Sequence, residues 1–335
     1  MMLYIRFPEG IRPEIIPGLP FRWYGLMYLL AFATAYLLFI YQVRKRKLDV
    51  PTEDVMSMFF WGIVGLLIGA RLFATLLFDP TGRYLRQPWL IFWPFQDGQF
   101  TGFQGMNYYG GLVGAIVAII IYGRRKKIKL LDWGDMLCAG IPLGYTFGRL
   151  GNFINAELFG KVTSVPWGFI FPHARRFPAS EAWVMETAEA AGMPLDQLGE
   201  MVNLPRHPTQ IYEGLTEGII LWLILWFIFR KRKPFDGFII GAYVIGYGFF
   251  RFLIDYFRVP LKGHYAFNLS GIDVQPYLSE TPLAFTASQI YSILMVLGGV
   301  LLLIILSKYH QRKEAQEGEE EGGKRSMRKM RKRIK

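Results

Sequence analysis

Charged and amide side chains occur in four regions inside or at the ends of long apolar segments. They are Arg71; Arg149, Asn152, Asn155 and Glu157; Glu213 and Glu217; and Arg251, Asp255 and Arg258. An ionisable group is costly in hydrocarbon, so each of these residues is by default a functional hypothesis. Arginines that converge at the depth of lipid headgroups suit a phosphate, because the planar guanidinium makes paired hydrogen bonds to its oxygens. We therefore predict an anion site formed by several of these groups.

A charged side chain at a helix end can instead be an anchor that extends to the headgroups. We favour this interpretation for Glu217 and Arg258. It is weaker for Arg149, because an arginine, two amides and a carboxylate within nine residues exceed what a helix end needs. Arg251 and Asp255 are four residues apart, so they share a helix face and are predicted to pair.

The sequence contains no Gly-x-Ser-x-Gly elbow, Walker loop, His-Glu-x-x-His motif or acidic metal box. The single cysteine, Cys138, lies in an apolar segment and is predicted to be a small buried hydrophobe. The four histidines are too scattered to suggest a metal site. Polar and cationic groups without a nucleophile favour an enzyme whose nucleophile belongs to a substrate. A channel or transporter, with the charges lining a pathway, is the competing class.

The elements that must position these residues are apolar and long. The chain has 335 residues, of which 52% are hydrophobic and only 19% are charged, a composition that indicates a membrane protein. A helix needs about 20 apolar residues to cross the hydrocarbon core. Seven segments qualify: 24–43, 55–78, 105–123, 132–150, 210–229, 236–257 and 283–307. The third is the shortest and the fourth is rich in glycine.

The net charge of +12 is also typical of a nucleic-acid-binding protein, so the position of the charge decides between the two classes. Basic clusters follow the first, third, fifth and seventh apolar segments, at 44–47, 124–129, 230–233 and 308–335. Loops rich in Lys and Arg are cytoplasmic. The pattern predicts an all-α, polytopic membrane protein with seven transmembrane helices, its N-terminus outside and its C-terminus inside. The basic character is then a signal of topology together with a basic tail, and no nucleic-acid partner is expected.

The charge pattern also divides the chain. Residues 1–307 are predicted to form one membrane domain that carries the site, with 151–209 as a small extracytoplasmic head between the fourth and fifth spans. Residues 308–335 form a basic cytoplasmic tail, whose mixture of Glu, Lys and Arg is typical of a disordered segment. Contact with anionic lipid headgroups is the simplest role for this tail.

Residues 148–160 read Gly-Arg-Leu-Gly-Asn-Phe-Ile-Asn-Ala-Glu-Leu-Phe-Gly, which resembles the signature of the bacterial prolipoprotein diacylglyceryl transferases. Four other segments resemble the same family in the same order. They are Trp23-Tyr24-Gly-Leu-Met-Tyr28, Gly69-Ala-Arg71, His207-Pro-Thr-Gln210-Ile-Tyr212-Glu213 and Tyr247-Gly-Phe-Phe-Arg251. The resemblance covers about 20–305 and leaves out the basic tail.

This resemblance implies an enzyme of the bacterial inner membrane. The enzyme would transfer the diacylglyceryl group of phosphatidylglycerol to the thiol of the lipobox cysteine in a prolipoprotein signal peptide, forming a thioether and releasing glycerol phosphate. No metal or organic cofactor is expected. The alternative is a transporter or flippase of lipid or anionic solute, which needs two related halves with broken helices. The sequence shows no internal repeat.

The resemblance also implies roles for individual residues. Arg149 and Arg251 are expected to recognise the phosphate and stabilise the leaving group, with Asn152, Asn155 and Glu157 positioning the headgroup glycerol or Arg149 itself. Tyr24 and Tyr109 are further catalytic candidates. The remaining expected contacts to phosphatidylglycerol are Gly160, Tyr247 and Arg71, and the supporting residues are His207, Gln210, Glu213 and Asp255.

Two positions depart from the family pattern. Tyr109 stands where many members have a histidine before paired glycines, and a phenol is a poorer base than an imidazole at neutral pH. Three alternatives then remain for removing the thiol proton: a neighbouring arginine activates Tyr109, another group such as His207 assists as a base, or the thiol needs no dedicated base. We favour the last. Asp255 replaces a glutamate and keeps the carboxylate with a shorter reach. His207, before Pro208, either fixes the turn at a helix entrance or takes part in the site.

Overall fold

Long helices make up most of the chain in the computed structural model. It describes residues 4–333 except 17, 19–20, 78, 80, 97, 101–104, 261–264, 270–274 and 279–282. The main helices are α1 Trp23–Lys45, α2 Thr52–Leu76, α3 Tyr108–Arg125, α4 Leu130–Cys138, α5 Ile141–Ile154, α6 Ala182–Ala190, α7 Thr209–Phe229, α8 Phe238–Ile254 and α9 Ala287–Arg333. Short helical turns cover Arg83–Arg86, Pro88–Ile91, Leu195–Gln197 and Asp255–Phe257.

Four small sheets of two strands each accompany the helices among the described residues, so the chain is mostly rather than entirely α. The strands are β1 Ile5–Arg6, β2 Phe95–Gln96, β3 Gln99–Phe100, β4 Phe169–Ile170, β5 Phe177–Pro178, β6 Met201–Val202, β7 Phe267–Asn268 and β8 Ala284–Phe285. β1 and β4 pair in parallel, whereas β2 with β3, β5 with β6, and β7 with β8 are antiparallel. The parallel pair joins the N-terminal segment to the connection between α5 and α7.

Five helices of the described chain are long and apolar enough to cross a membrane: α1, α2, α7, Phe238–Phe257 and the first part of α9. The third predicted span forms α3, which is less apolar because Arg124 and Arg125 lie in its last turn. The single helix predicted over 132–150 does not form. Pro142 has no N–H for the carbonyl of Cys138 and its ring clashes there, so α4 ends at Cys138 and α5 begins at Ile141.

The described residues divide into two compact units, one within Met1–Ala35 and Gly134–Lys335 and the other within Tyr36–Trp133. In the second unit, α2 and α3 cross at glycines. A Cβ atom on Gly69 would lie 2.3 Å from the carbonyl oxygen of Gly110, and one on Gly114 would lie 2.1 Å from that of Gly65. Any larger residue at this crossing would push the backbones apart.

In the first unit, α5 packs against α7 through equally small residues. Thr146 Oγ1 donates a hydrogen bond to the carbonyl oxygen of Gly214 (3.1 Å), and a Cβ atom on Gly218 would lie 2.1 Å from Thr146 Oγ1. Within α7, Gly214–Ile220 and Ile224–Phe229 have the wider i→i+5 hydrogen bonding of a π-helix, which often marks functional sites. This close contact brings one face of α7 next to the end of α5 that carries Arg149.

The connection between α5 and α7 has two small apolar cores. One contains Val162, Phe177, Val184, Ala188, Val202 and Leu204, and the other contains Phe7, Ala156, Phe171 and Ala174.

The last helix, α9, continues to Arg333, through a segment for which the composition predicted disorder. Glu and Lys are good helix formers, and pairs such as His310 with Glu314 (3.3 Å) and Lys313 with Glu317 (3.8 Å) support the helix.

Candidate active site

Glu213 on α7 lies at the centre of a cluster of arginines. Its Oε2 atom is 2.7 Å from Arg149 Nε, and its Oε1 atom is 3.2 Å from Arg251 Nη1 and also pairs with Arg258 Nη1. The Glu213 side chain is only 1% exposed. A buried carboxylate is stable only when it is well paired, and here three guanidinium groups from α5, α8 and the turn after α8 share it.

Two more carboxylates complete the cluster. Glu217, one helical turn after Glu213, is fully buried; its Oε2 atom accepts a hydrogen bond from the Tyr145 hydroxyl, and its Oε1 atom is 3.8 Å from Arg251 Nη1. Asp255 accepts from Thr286 Oγ1 and lies 3.6 Å from Arg258 Nε. Three arginines are therefore balanced by three carboxylates within one unit of the described chain.

The structure settles two interpretations of these charges. The pairing of Arg251 with Asp255 is confirmed, at 3.8 Å from Nη2 to Oδ1. The interpretation of Glu217 and Arg258 as headgroup anchors is wrong, because Glu217 is fully buried and Arg258 is paired with Glu213 and Asp255. Glu217 repeats the helix face of Glu213, and the turn Asp255–Phe257 brings Arg258 back toward the same group.

The signature segment orients Arg149 through its amides. Arg149 Nη1 donates to Asn152 Oδ1 (3.4 Å), Asn152 Nδ2 donates to Glu157 Oε1 (2.9 Å), and Asn155 Nδ2 donates to the same oxygen (3.3 Å). Ala156 and Leu158, on either side of Glu157, have left-handed backbone with φ of 53° and 59°. Such backbone is uncommon for residues other than glycine and concentrates at functional sites.

The first residues of α7 bind the backbone of this segment. Gln210 Nε2 donates to the backbone oxygen of Glu157 (2.6 Å), and Thr209 Oγ1 donates to that of Leu158 (3.0 Å). A Cβ atom on Gly160 would lie 2.2 Å from the Phe257 oxygen and 2.6 Å from Thr209 Cγ2. These distances support a packing role for Gly160, whereas the family resemblance implies contact with phosphatidylglycerol at this position.

His207 is held in the turn before α7. Trp167 Nε1 donates to the Tyr212 hydroxyl (2.7 Å), and that hydroxyl lies 3.2 Å from His207 Nδ1. Burial, together with the nearby positive charge of Lys161, lowers the pKa of His207 from 6.5 to about 4. The imidazole is therefore neutral near pH 7, and its Nδ1 atom shares a hydrogen bond with the Tyr212 hydroxyl. This arrangement favours the structural alternative over a proton-transfer role.

We expect His207 to make the folded protein sensitive to acid. Its folded-state pKa is depressed, so its contribution to stability is complete above about pH 6.5 and is lost as the pH falls toward 4. The shift corresponds to about 3 kcal/mol in the free energy of unfolding. Thermal unfolding in detergent at pH 7.5 and pH 5 should show a smaller loss of stability for His207→Asn than for the unmodified protein. Equal losses would contradict the assignment.

Arg71 and Tyr109 belong to the unit Tyr36–Trp133. The Arg71 side chain is buried and donates to the backbone oxygens of Ile91, Gly105 (3.2 Å) and Leu90 (3.4 Å). These bonds tie α2 to Leu90, Ile91 and Gly105 and support a structural role. Tyr109, in the first turn of α3, is 64% exposed, and its ring contacts that of Tyr108.

Tyr24 and Tyr247 lie next to α5, the helix that carries Arg149, in the first unit. Tyr24 shares a hydrogen bond with the Tyr28 hydroxyl (2.9 Å), and a Cβ atom on Gly151 would lie 3.3 Å from its ring. The Tyr247 ring stands edge-on to that of Tyr145, with centroids 5.9 Å apart. Both aromatic residues thus adjoin α5 near the start of the signature segment.

Two further residues contact the cluster and were not among the predicted site residues, Tyr145 and Thr286. Tyr145 precedes Arg149 by four residues, so the two share a helix face, and this spacing was available as a signal. Thr286 begins α9 with a reciprocal cap: its N–H donates to Gln289 Oε1 (2.9 Å), and Gln289 N–H donates to its Oγ1 (3.1 Å). The Thr-x-x-Gln spacing before an apolar run predicts this cap, although not the contact between Thr286 and Asp255.

The described part of the chain has no group of three His, Cys, Asp or Glu side chains arranged for a metal ion. Its apolar helices and its buried arginine–carboxylate cluster define a helical membrane protein with a polar site between its helices. The chain belongs to the prolipoprotein diacylglyceryl transferase family, whose family model matches residues 13–305.

Individual relatives agree over nearly the whole chain. The chain is 48% identical over 326 residues to the phosphatidylglycerol–prolipoprotein diacylglyceryl transferase of Treponema pallidum, covering 93% of this chain and 98% of the relative. It is 47% identical to the enzyme of that name from Treponema denticola, covering 95% and 98%. The Chlorobaculum tepidum enzyme of that name is 36% identical, covering 89% and 90%.

Proposed function

We propose that this protein transfers the sn-1,2-diacylglyceryl group of phosphatidylglycerol to the thiol of the lipobox cysteine of prolipoproteins. Family membership, with relatives of that name aligned over nearly the full chain, carries this conclusion. The buried cluster of Arg149, Arg251 and Arg258 fits the reaction, because the donor lipid brings a phosphate diester to be recognised. The partners are then phosphatidylglycerol, a signal peptide with a lipobox cysteine, and the surrounding bilayer.

The reaction forms a carbon–sulfur bond and breaks a carbon–oxygen bond. The cysteine thiol releases its proton to water, the sulfur attacks the glyceryl carbon next to the phosphate, and glycerol phosphate leaves with the electron pair of the broken carbon–oxygen bond. Negative charge grows on the phosphate as the bond breaks, so guanidinium groups fixed beside it lower the barrier. Arg149 and Arg251 are our candidates for this stabilisation, and Asn152, Asn155 and Glu157 hold Arg149 in register.

Arg149 has an edge available for the phosphate. Its Nε atom faces Glu213 and Tyr145, and its Nη1 atom donates to Asn152, whereas its Nη2 atom has no hydrogen-bond partner among the described residues. The Nη2 atom of Arg258 is likewise without one in the described part of the chain. A phosphate oxygen would complete the donor set of either side chain.

We propose seven spans in the bacterial inner membrane, with the N-terminus outside and the C-terminus inside. Five helices qualify by length and composition, and α3 and the broken pair α4–α5 supply the other two. The basic clusters at 44–47, 124–129 and 230–233 support this orientation. Residues 1–307 then form the catalytic membrane domain with 151–209 as its outer head, and 308–335 form the cytoplasmic tail.

The test is a purified transfer reaction. The protein, in detergent micelles with phosphatidylglycerol and a lipobox peptide, should yield a peptide heavier by one diacylglyceryl group, together with free glycerol phosphate. A peptide with serine in place of the lipobox cysteine and micelles with phosphatidylcholine are the controls. Absence of the product in an assay where a relative is active would refute the proposal, and lipid flux across liposomes without lipidation would favour a flippase.

We expect Tyr109→Phe to retain transfer activity within about twofold, because an exposed phenol is a poor general base for the thiol. The initial rate between pH 6 and pH 8 is the measurement. A loss of about tenfold or more would show that the hydroxyl takes part. Tyr109→His is the companion variant, and a rate that rises with deprotonation of the new imidazole would show that this position accommodates a base.

A further inference from the structure

Tyr145 contacts Arg149 in two ways at once. The hydroxyl oxygen lies 2.6 Å from Arg149 Nε, within hydrogen-bond distance, and the guanidinium carbon lies 4.7 Å from the centre of the Tyr145 ring. The two residues are one helical turn apart on α5. A hydrogen bond and a cation–π contact from the same side chain fix both the position and the tilt of a guanidinium.

Glu217 fixes the direction of this hydrogen bond. The Tyr145 hydroxyl has one proton and donates it to Glu217 Oε2, so its lone pairs face Arg149. Glu217 is fully buried and comes from α7, and the Tyr145 ring is braced edge-on by Tyr247 of α8. The Arg149 N–H, the Tyr145 O–H and the Glu217 carboxylate thus form a directed chain held by three helices.

This chain of hydrogen bonds restricts the orientation of the Arg149 guanidinium. Glu213 Oε2 alone, 2.7 Å from Nε, would allow the guanidinium plane to rotate, whereas the Tyr145 ring and hydroxyl together allow one orientation. In that orientation Arg149 Nη1 donates to Asn152. Arg149 Nη2 has no hydrogen-bond partner among the described residues and is left for a ligand. Preorganised donors of this kind stabilise charge in a transition state most effectively.

We propose that Tyr145 is a positioning residue for the transfer reaction. Its hydroxyl, anchored by Glu217, and its ring hold the Arg149 guanidinium with Nη2 toward the phosphate of the donor lipid. This inference rests on the proposed function and deepens it. Tyr145 acts through Arg149 and transfers no proton to or from either substrate.

Two substitutions separate the hydroxyl from the ring. Tyr145→Phe keeps the ring contact and should lower kcat about tenfold, the value of one hydrogen bond to a charged group, with KM for phosphatidylglycerol little changed. Tyr145→Leu removes both contacts and should lower kcat by about a hundredfold. Unchanged kcat in both Tyr145 variants would overturn the proposal.

A double-mutant cycle distinguishes positioning from general stability. In Arg149→Lys the Nε atom and the planar fork are gone, so adding Tyr145→Phe should lower single-turnover rates by less than about twofold. A further tenfold loss would mean that Tyr145 acts independently of Arg149 and would also overturn the proposal.

Tyr122→Phe is the matched control. Its hydroxyl donates to Asp54 Oδ1 at 3.1 Å, so the variant also removes a tyrosine–carboxylate hydrogen bond from a helix, within the unit Tyr36–Trp133. It should retain full activity; a loss equal to that of Tyr145→Phe would show that neither effect is specific to Arg149. If the unmodified protein makes no thioether, the proposed function fails; if it is active and both Tyr145 variants equal it in kcat, only the positioning role fails.

Discussion

Arg149→Lys is expected to lower kcat/KM for diacylglyceryl transfer by about a hundredfold to a thousandfold, the range for loss of one preorganised donor to a developing oxyanion. The guanidinium serves Glu213 and Tyr145 through Nε and Asn152 through Nη1, and it keeps Nη2 for a ligand. A lysine ammonium is a single point on a flexible stem, so it cannot reach the carboxylate and the phosphate together. Arg149→Ala should abolish transfer.

The measurement is the initial rate of peptide lipidation over a range of phosphatidylglycerol concentrations. Arg46→Lys is the matched control, because Arg46 also pairs with a carboxylate, Asp132 at 3.0 Å, and is partly exposed in the other unit. That variant should retain its rate, since a lysine can keep an exposed pair. Normal turnover in Arg149→Lys, in protein that inserts normally, would remove phosphate recognition from Arg149.

Local signals made part of this site predictable from the sequence. Arg149, Asn152, Asn155 and Glu157 lie within nine residues at the end of an apolar segment, and their bonds to one another form within that segment. The pairing of Arg251 with Asp255 followed from helical spacing in the same way. Interactions between residues fewer than about ten positions apart depend on local geometry, which sequence spacing specifies.

The central role of Glu213 was not predictable in this way. Its three arginines come from two distant parts of the chain, Arg149 on α5 and Arg251 and Arg258 at the end of α8, and their convergence depends on the packing of α5 and α8 against α7. Glu217 was misassigned for the same reason: near the start of an apolar run, only tertiary packing decides whether a carboxylate faces the headgroups or the protein interior. Sequence spacing says which residues share a helix face and says nothing about what that face meets.

The helices show a similar division. The apolar segments predicted α1, α2 and α7 to within a few residues, because length and hydropathy are properties of each segment alone. The seventh segment was predicted to end at 307, whereas α9 continues to Arg333. Pro142 predicts the break at Ala139 and Gly140, whereas the apolar run around it predicts one continuous helix. The i→i+5 bonding in α7 has no marker in composition. One of its two stretches contains Gly214 and Gly218, where α5 approaches closely.

Glu213→Gln is expected to damage both stability and activity. The substitution keeps the size of the side chain but leaves Arg149, Arg251 and Arg258 with two carboxylates instead of three. Removing one partner from a buried ionic group costs about 3–5 kcal/mol in the free energy of unfolding, because the remaining charge is left uncompensated. Thermal unfolding in detergent should shift clearly downward, and transfer should fall by at least about a hundredfold as Arg149 and Arg251 lose their common anchor.

A second substitution tests whether unbalanced charge causes the loss of stability in Glu213→Gln. In Glu213→Gln with Arg258→Gln, two arginines again face two carboxylates, so stability should partly recover relative to Glu213→Gln alone. Activity should stay low, because the group that holds Arg149 and Arg251 together is still absent. Glu314→Gln removes a carboxylate from an exposed pair with His310 and should change neither property. If the double variant is less stable than either single one, the lost hydrogen bonds rather than the unbalanced charge set the cost, and Glu213 stabilises the site mainly as an acceptor.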